Sequence, residues 1–123
     1  MIQENIEETI YNPYNENNKE VTHNIIKKIL EEYDVFYNIN NIELYQRSFI
    51  HKSYVKPKIL NEDVVMAIKP PNCLELKSES NERLEFLGDG ILECITKFYL
   101  YKRFPNEDEG FITKKKICLV KND

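Results

Sequence analysis

Residues Asn81 to Leu92 read Asn-Glu-Arg-Leu-Glu-Phe-Leu-Gly-Asp-Gly-Ile-Leu, and this stretch constrains the fold more than any other in the chain. Asn81 follows the polar run Lys77-Ser78-Glu79-Ser80 and is an N-cap candidate; apolar residues then recur with a helical period as far as Tyr101. The pattern predicts a helix from Glu82 to Arg103 or Phe104, stopped by Pro105. At about 100° per residue, with Glu82 at zero, Glu85 falls at about 300° and Asp89 at about 340°, so the carboxylates occupy roughly a sixth of the circumference. Leu84, Leu87, Ile91, Leu92, Ile95, Phe98 and Tyr99 fill the arc from about 140° to about 280°, which is the expected core face.

Acids stacked at i, i+3 and i+7 repel one another by a few tenths of a kcal/mol per adjacent pair. The bland explanation is a solvated acidic face near a positive helix N-terminus, which favours Glu82 and Glu85 but not Asp89, two turns in. Two details weigh against it. Phe86, at about 40°, is an apolar ring on the acidic side, and Gly88 and Gly90 sit mid-helix, where each costs about 1 kcal/mol against Ala. Gly88 would let another helix pack tightly on the core face, and Gly90 would leave room for something bulky beside the acids. Carboxylate oxygens with an open approach suit a hard divalent cation such as Mg²⁺, which keeps several waters and shares its shell with phosphate.

Asn81-Glu82-Arg83-Leu84-Glu85-Phe86-Leu87-Gly88-Asp89 resembles the signature stretch of the ribonuclease III family of double-stranded RNA endonucleases, uninterrupted over these residues. The resemblance implies an all-α, ribonuclease III-like helical endonuclease domain, here truncated. It implies that Glu85 and Asp89 bind Mg²⁺, with Mn²⁺ as an alternative, and that Glu82 and Glu109 join them as catalytic residues from beyond the metal's direct ligands. In the family the remaining metal-binding carboxylates, an Asp and a Glu one helical turn apart, come from later helices. Phe86 is the candidate dimer contact, because family members seat an apolar side chain from this helix in the partner's surface.

The 123 residues suffice for one domain with a modest core. Nothing apolar reaches the length of a membrane span and the amino terminus is acidic, so a soluble, intracellular and cytoplasmic protein is expected, with no membrane partner. The cysteines, Cys73, Cys94 and Cys118, form no close pair and argue against a zinc site or a disulfide framework. The net charge of −4 resides in residues 1–20, with five Glu against one Lys. A nucleic-acid enzyme of this balance must draw much of its backbone affinity from metal ions or from regions beyond these residues.

Residues 1–20 show no sustained apolar period and are expected to be a disordered or flexible acidic arm; residues 21–123 are then the amino-terminal part of a ribonuclease III domain. Ile25, Ile26, Ile29, Leu30, Tyr33 and Phe36 predict a helix capped by Thr22 or Asn24 and ending near Tyr37. Asn40 or Asn41 caps a second, through Leu44, Tyr45, Ser48 and Phe49 towards Tyr54. Its end, Ile50-His51-Lys52-Ser53-Tyr54, is similar to a short histidine-serine motif of the family, and His51 is read as a structural residue. Residues 55–80, with Pro57, Pro70 and Pro71, form a long insertion of unusual length for a compact domain. Within it, Asn61 to Ile68 suits a short helix or strand. Glu107 to Glu109 reads as an acidic loop favouring the next helix's N-terminus; the resemblance implies instead that Glu109 points back to the cleavage site. Lys114 to Lys116 form a basic strip that is either solvated or in contact with phosphate.

By resemblance the function is Mg²⁺-dependent cleavage of double-stranded RNA to 5′-phosphate and 3′-hydroxyl ends by a dimer that reads A-form shape. The chain alone is expected to be inactive for want of the second half of the site. Its uncovered apolar helix face predicts a homodimer or higher self-association, through exchanged helices. The alternative is a non-catalytic scaffold of the same fold that dimerises or binds RNA. A helical two-metal redox protein would need Glu-x-x-His pairs, and the sequence contains none.

Overall fold

The computed structural model describes residues 9–121; the expectation of a loose arm at 1–8 lies outside the described residues, as do 122 and 123. The elements run β1 (Thr9–Tyr11), α1 (His23–Glu32), α2 (Ile42–Ser48), a 3₁₀ turn (Lys52–Tyr54), β2 (Val64–Met66), α3 (Glu82–Arg103) and α4 (Glu109–Val120). The chain is mostly helical with a small two-stranded sheet, which corrects the all-α expectation. It divides into two compact units, residues 1–82 and residues 83–123, the boundary falling in the first turn of α3.

In the first unit, α1 opens where Thr22 Oγ1 accepts the N–H of Ile25 at 3.4 Å. It closes before Tyr37, because Asp34 adopts a left-handed φ of 57°. Val35 N–H reaches back to Leu30 O at 2.9 Å and Asp34 N–H to Glu31 O at 3.1 Å. This is the Schellman arrangement, with aspartate in the place glycine usually takes. Asn41 caps α2 by accepting the N–H of Glu43 at 3.2 Å, and Gln46 Nε2 donates to Val21 O at 2.8 Å, tying α2 to the entrance of α1. The second helix stops at Ser48 rather than running to Tyr54. There His51 turns the chain into the 3₁₀ segment: its Nδ1 accepts the N–H of Ser53 at 3.2 Å and lies 2.8 Å from Ser53 Oγ.

The long connection closes on itself. Val55 and Lys77 form a parallel bridge, with Lys56 N–H to Lys77 O at 2.9 Å and Lys77 N–H to Tyr54 O at 3.0 Å. Tyr54 Oη donates to Leu74 O at 2.8 Å. The excursion thus leaves and rejoins at one point. Within it, β2 pairs in parallel with β1, Thr9 opposite Val64 and Tyr11 opposite Met66, so residues 9–11 of the stretch expected as a loose arm are held by the insertion. Glu16 accepts from Asn72 Nδ2 at 2.8 Å and Glu20 pairs with Lys77 at 2.9 Å, fastening the same stretch further along. Among the described residues, the buried apolar ones of this unit are Ile26, Cys73 and Leu76.

In the second unit, α3 turns into α4 at Pro105, and Asp108 caps α4 by accepting the N–H of Phe111 at 2.9 Å. Phe104 and Phe111 meet edge to face, ring centroids 5.2 Å apart, so that α4 returns alongside α3. The buried residues of α3 are Thr96 and Leu100, which fall at about 320° and 0° on the wheel, on the acidic side. The arc expected to be the core face is solvent-exposed, from Leu87 and Ile91 through Ile95 to Tyr99, with Leu84 half-buried. Periodicity locates an apolar stripe but does not say which neighbour lies against it, and α4 lies against the other side.

Candidate functional site

The predicted helix exists over the predicted residues, so Glu85 and Asp89 stand one turn apart on one face of α3. Both are exposed. Glu82, the first residue of the helix, is positioned by its own cap: Ser80 Oγ accepts the Glu82 N–H at 3.3 Å and donates to Glu82 Oε2 at 3.1 Å. Lys52 Nζ lies 3.9 Å from Glu82 Oε1. Asn81 is therefore not the capping side chain. Its Nδ2 donates to Ser48 O at 3.3 Å and its N–H to Ile50 O at 2.8 Å, which commits it to the end of α2.

Gly88 and Gly90 face open space: a Cβ added to either would meet nothing within 4 Å. Room beside the acids, expected of Gly90, is present; a close helix contact at Gly88 is not formed among the described residues. Phe86 stands out from the same flank, 84 % exposed. Among the described residues no three His, Cys, Asp or Glu side chains gather closely enough to hold a metal ion. What α3 offers is two unburied carboxylates with free approach, hard oxygen donors that fit a hydrated Mg²⁺ bound through one or two carboxylates.

Glu109 is not brought to this pair. It is the first residue of α4 and lines a hollow with Lys97, Leu100 and Tyr101, whereas Asp89 shares a hollow with Val120 at the other end of α4. Glu109 and Val120 are the two ends of this 12-residue helix, about 16 Å apart along the axis. The local role of Glu109 is to sit beside the Asp108 cap in the first turn of α4. The basic strip divides in use: Lys115 Nζ lies 5.4 Å from the Phe111 ring centroid, and Lys116 Nζ turns to Glu93 Oε1 at 3.1 Å.

Glu93 is the residue that sequence reasoning passed over. It continues the acidic strip one turn beyond Asp89, at about 20° on the wheel, and its Oε1 also receives Lys97 Nζ at 3.0 Å. The hydrogen bond from Lys97, then that from Lys116, with the attraction of both charges, holds its carboxyl below the usual carboxylate range. The signal was present in the i, i+4 spacing of Glu93 to Lys97. The partner on α4 was not.

Residues 82–123 match the Ribonuclease III domain family. A probable ribonuclease 3 of Acanthamoeba polyphaga mimivirus is 32% identical over 112 residues, 89% of this chain and 20% of that protein. Ribonuclease 3 of Staphylococcus epidermidis (strain ATCC 12228 / FDA PCI 1200) is 34% identical over 107 residues, 86% of this chain and 38% of its own length. That of Enterococcus faecalis is 40% identical over 89 residues, covering 72% of this chain and 31% of the relative. The chain thus spans 20% to 38% of the length of these relatives. No solved structure matches it, and among the described residues no helix is long and apolar enough to cross a membrane. The domain match begins at Glu82, where the acidic helix begins, and the similarity to these ribonucleases extends over most of the sequence.

Proposed function

We propose that the face of α3 bearing Glu85 and Asp89 is the metal-binding half of a nuclease site, and that the activity it serves is cleavage of double-stranded RNA to 5′-phosphate and 3′-hydroxyl ends. The observation that supports this is the pair itself: two exposed carboxylates one turn apart, inside the segment that matches the family, with open space at Gly88 and Gly90. Glu85 and Asp89 would hold Mg²⁺ or Mn²⁺, which would supply Lewis-acid chemistry, acidifying water and offsetting charge on the leaving oxygen.

The chain's own contribution is to hold Glu85 and Asp89 at fixed spacing on a rigid helix. Glu82, anchored by Ser80 and Lys52, accepts hydrogen bonds from water or the RNA strand at the helix start. Phe86, projecting beside them, takes the partner protomer's surface. Glu109 has no part in this reading, given its place at the far end of α4. Two carboxylates do not complete a four-carboxylate site, so this chain by itself binds the ion weakly and does not turn over. A second reading, a non-catalytic scaffold that self-associates or holds RNA, is favoured by the exposed apolar stripe along α3.

The test is the complete protein incubated with end-labelled duplex RNA and Mg²⁺, beside its Glu85→Gln and Asp89→Asn variants. Loss of cleavage in both variants with duplex binding retained supports the nuclease. Undiminished cleavage in either removes the assignment, and duplex bound but uncut by the unaltered protein selects the scaffold.

A further inference from the structure

The acidic strip of α3 does not end at Asp89. One turn on, a single oxygen of Glu93 is held by two lysines, Lys97 at 3.0 Å and Lys116 at 3.1 Å. Two cations on one carboxylate leave a net positive charge beside Asp89. Asp89, Glu93 and Lys116 line the same open hollow of about 280 Å³, together with Leu92 and Val120. The lysines differ in freedom: the Lys97 side chain is 63% exposed and that of Lys116 is 24% exposed. Lys97 can leave for solvent, while Lys116 is kept in the hollow by the return of α4.

We propose that Lys116 is a positioning residue for the Glu85–Asp89 cation site: it draws Glu93 away from service as a third carboxylate ligand and fixes a positive charge next to Asp89. The inference rests on the metal-binding reading of that pair. Its consequence is a site that is weak for a cation alone and fills when a phosphodiester brings its own negative charge. That charge weakens binding of the cation alone and favours an approaching phosphate; the cation and the phosphate attract one another directly, so each raises the other's affinity by the same factor. The charge comes from the opposing helix, so α4, which carries none of the proposed ligands, governs when the ion is held.

Mn²⁺ titration of the 123-residue chain, followed by the electron paramagnetic resonance of the free ion, tests this without reference to cleavage. Removing one positive charge at roughly 6–8 Å from a divalent ion near the surface tightens its binding about three- to tenfold at moderate salt. Lys116→Met is expected to show that gain with its circular dichroism unchanged, and Lys116→Arg, which keeps the charge, to bind within about twofold of the parent. Glu93→Gln, which leaves both lysines without a counter-charge, is expected to bind several-fold more weakly, and it decides the matter should Lys116→Met fail to fold. Parent-like affinity in Lys116→Met, or in Glu93→Gln, while Asp89→Asn abolishes binding, overturns the role of Lys116 and leaves the metal reading standing. Binding that survives Asp89→Asn unchanged, or no binding by the parent chain, overturns both.

Discussion

Leu100→Ala and Leu92→Ala separate the packing seen in the structure from the packing that periodicity alone would give. Leu100 is 2% exposed and Leu92 is 53% exposed. Full burial of a leucine side chain is worth about 1.5–3 kcal/mol, so Leu100 holds nearly all of that and Leu92 about half, even before relaxation. Only Leu100 adds a cavity contribution, and it is a reduced one, because Leu100 already borders an open hollow of about 580 Å³ formed with Phe98, Tyr101 and Ile112. Within the usual range for Leu→Ala, a loss of about 2–3 kcal/mol is therefore expected at Leu100. At Leu92 about 1 kcal/mol or less is expected, since an exposed side chain leaves no void behind. Urea unfolding of the 123-residue chain, followed by circular dichroism at helical wavelengths, measures both, with unchanged slopes showing that the two variants share a reference state. Equal losses, or a larger loss at Leu92, would refute the placement of α4 on the acidic side of α3.

Further outcomes are expected from single bonds and turns. Glu93 titrates below its ordinary value of 4.5, so its ion pairs stabilise the fold fully above about pH 4.5 and that contribution is lost as pH falls through the lowered value; the stability gap between the parent and Glu93→Gln, by urea unfolding from pH 7 to pH 3, is expected to close only below 4.5. Tyr54→Phe removes the bond to Leu74 O at 2.8 Å, and a loss of about 1 kcal/mol is expected in the same assay. Asp34→Gly relieves the left-handed residue that ends α1, and a gain of about 0.5 kcal/mol is expected once glycine's greater unfolded-state entropy is set against the relief.

The parts of the fold that are local in sequence were readable from it. The ends of α3 follow from the polar run before Glu82 and from Pro105, and the caps at Thr22 and Asn41 follow from residue type and position. The early end of α1 was not readable, because aspartate marks a left-handed turn far less reliably than glycine. The second strand lies within Asn61 to Ile68, which the sequence marked as a short helix or strand without deciding between them; the first strand and the pairing of the two were hidden for a different reason. Each is three residues long, and neither has a reason to be a strand except the other, whose register pairs Ile10 with Val65. Asn81 shows the limit of residue-type reasoning at a cap: a suitable side chain stood next to the helix, but its amide was taken by Ser48 O. At the candidate site the face shared by Glu85 and Asp89 came directly from the helical period. Glu93 acquires its significance from Lys116, on a different helix, and no period within α3 contains that.

One side of α3 does two jobs in succession. Over its first turns, Glu85 and Asp89 point to solvent; over its last, Thr96 and Leu100 lie buried on the same side. Glu93 stands where one gives way to the other, bonded to a lysine from each helix. A helix that buried this side along its whole length would have no room for a cation, and one that exposed it throughout would have nothing to fix the rotation of the acids about the axis. The return of α4, set by the Phe104–Phe111 contact and the Asp108 cap, provides that anchorage two turns from the carboxylates. Loss of the α3–α4 packing is therefore a way to disable the acids without touching them, and Leu100→Ala is expected to loosen the cation site as well as the fold.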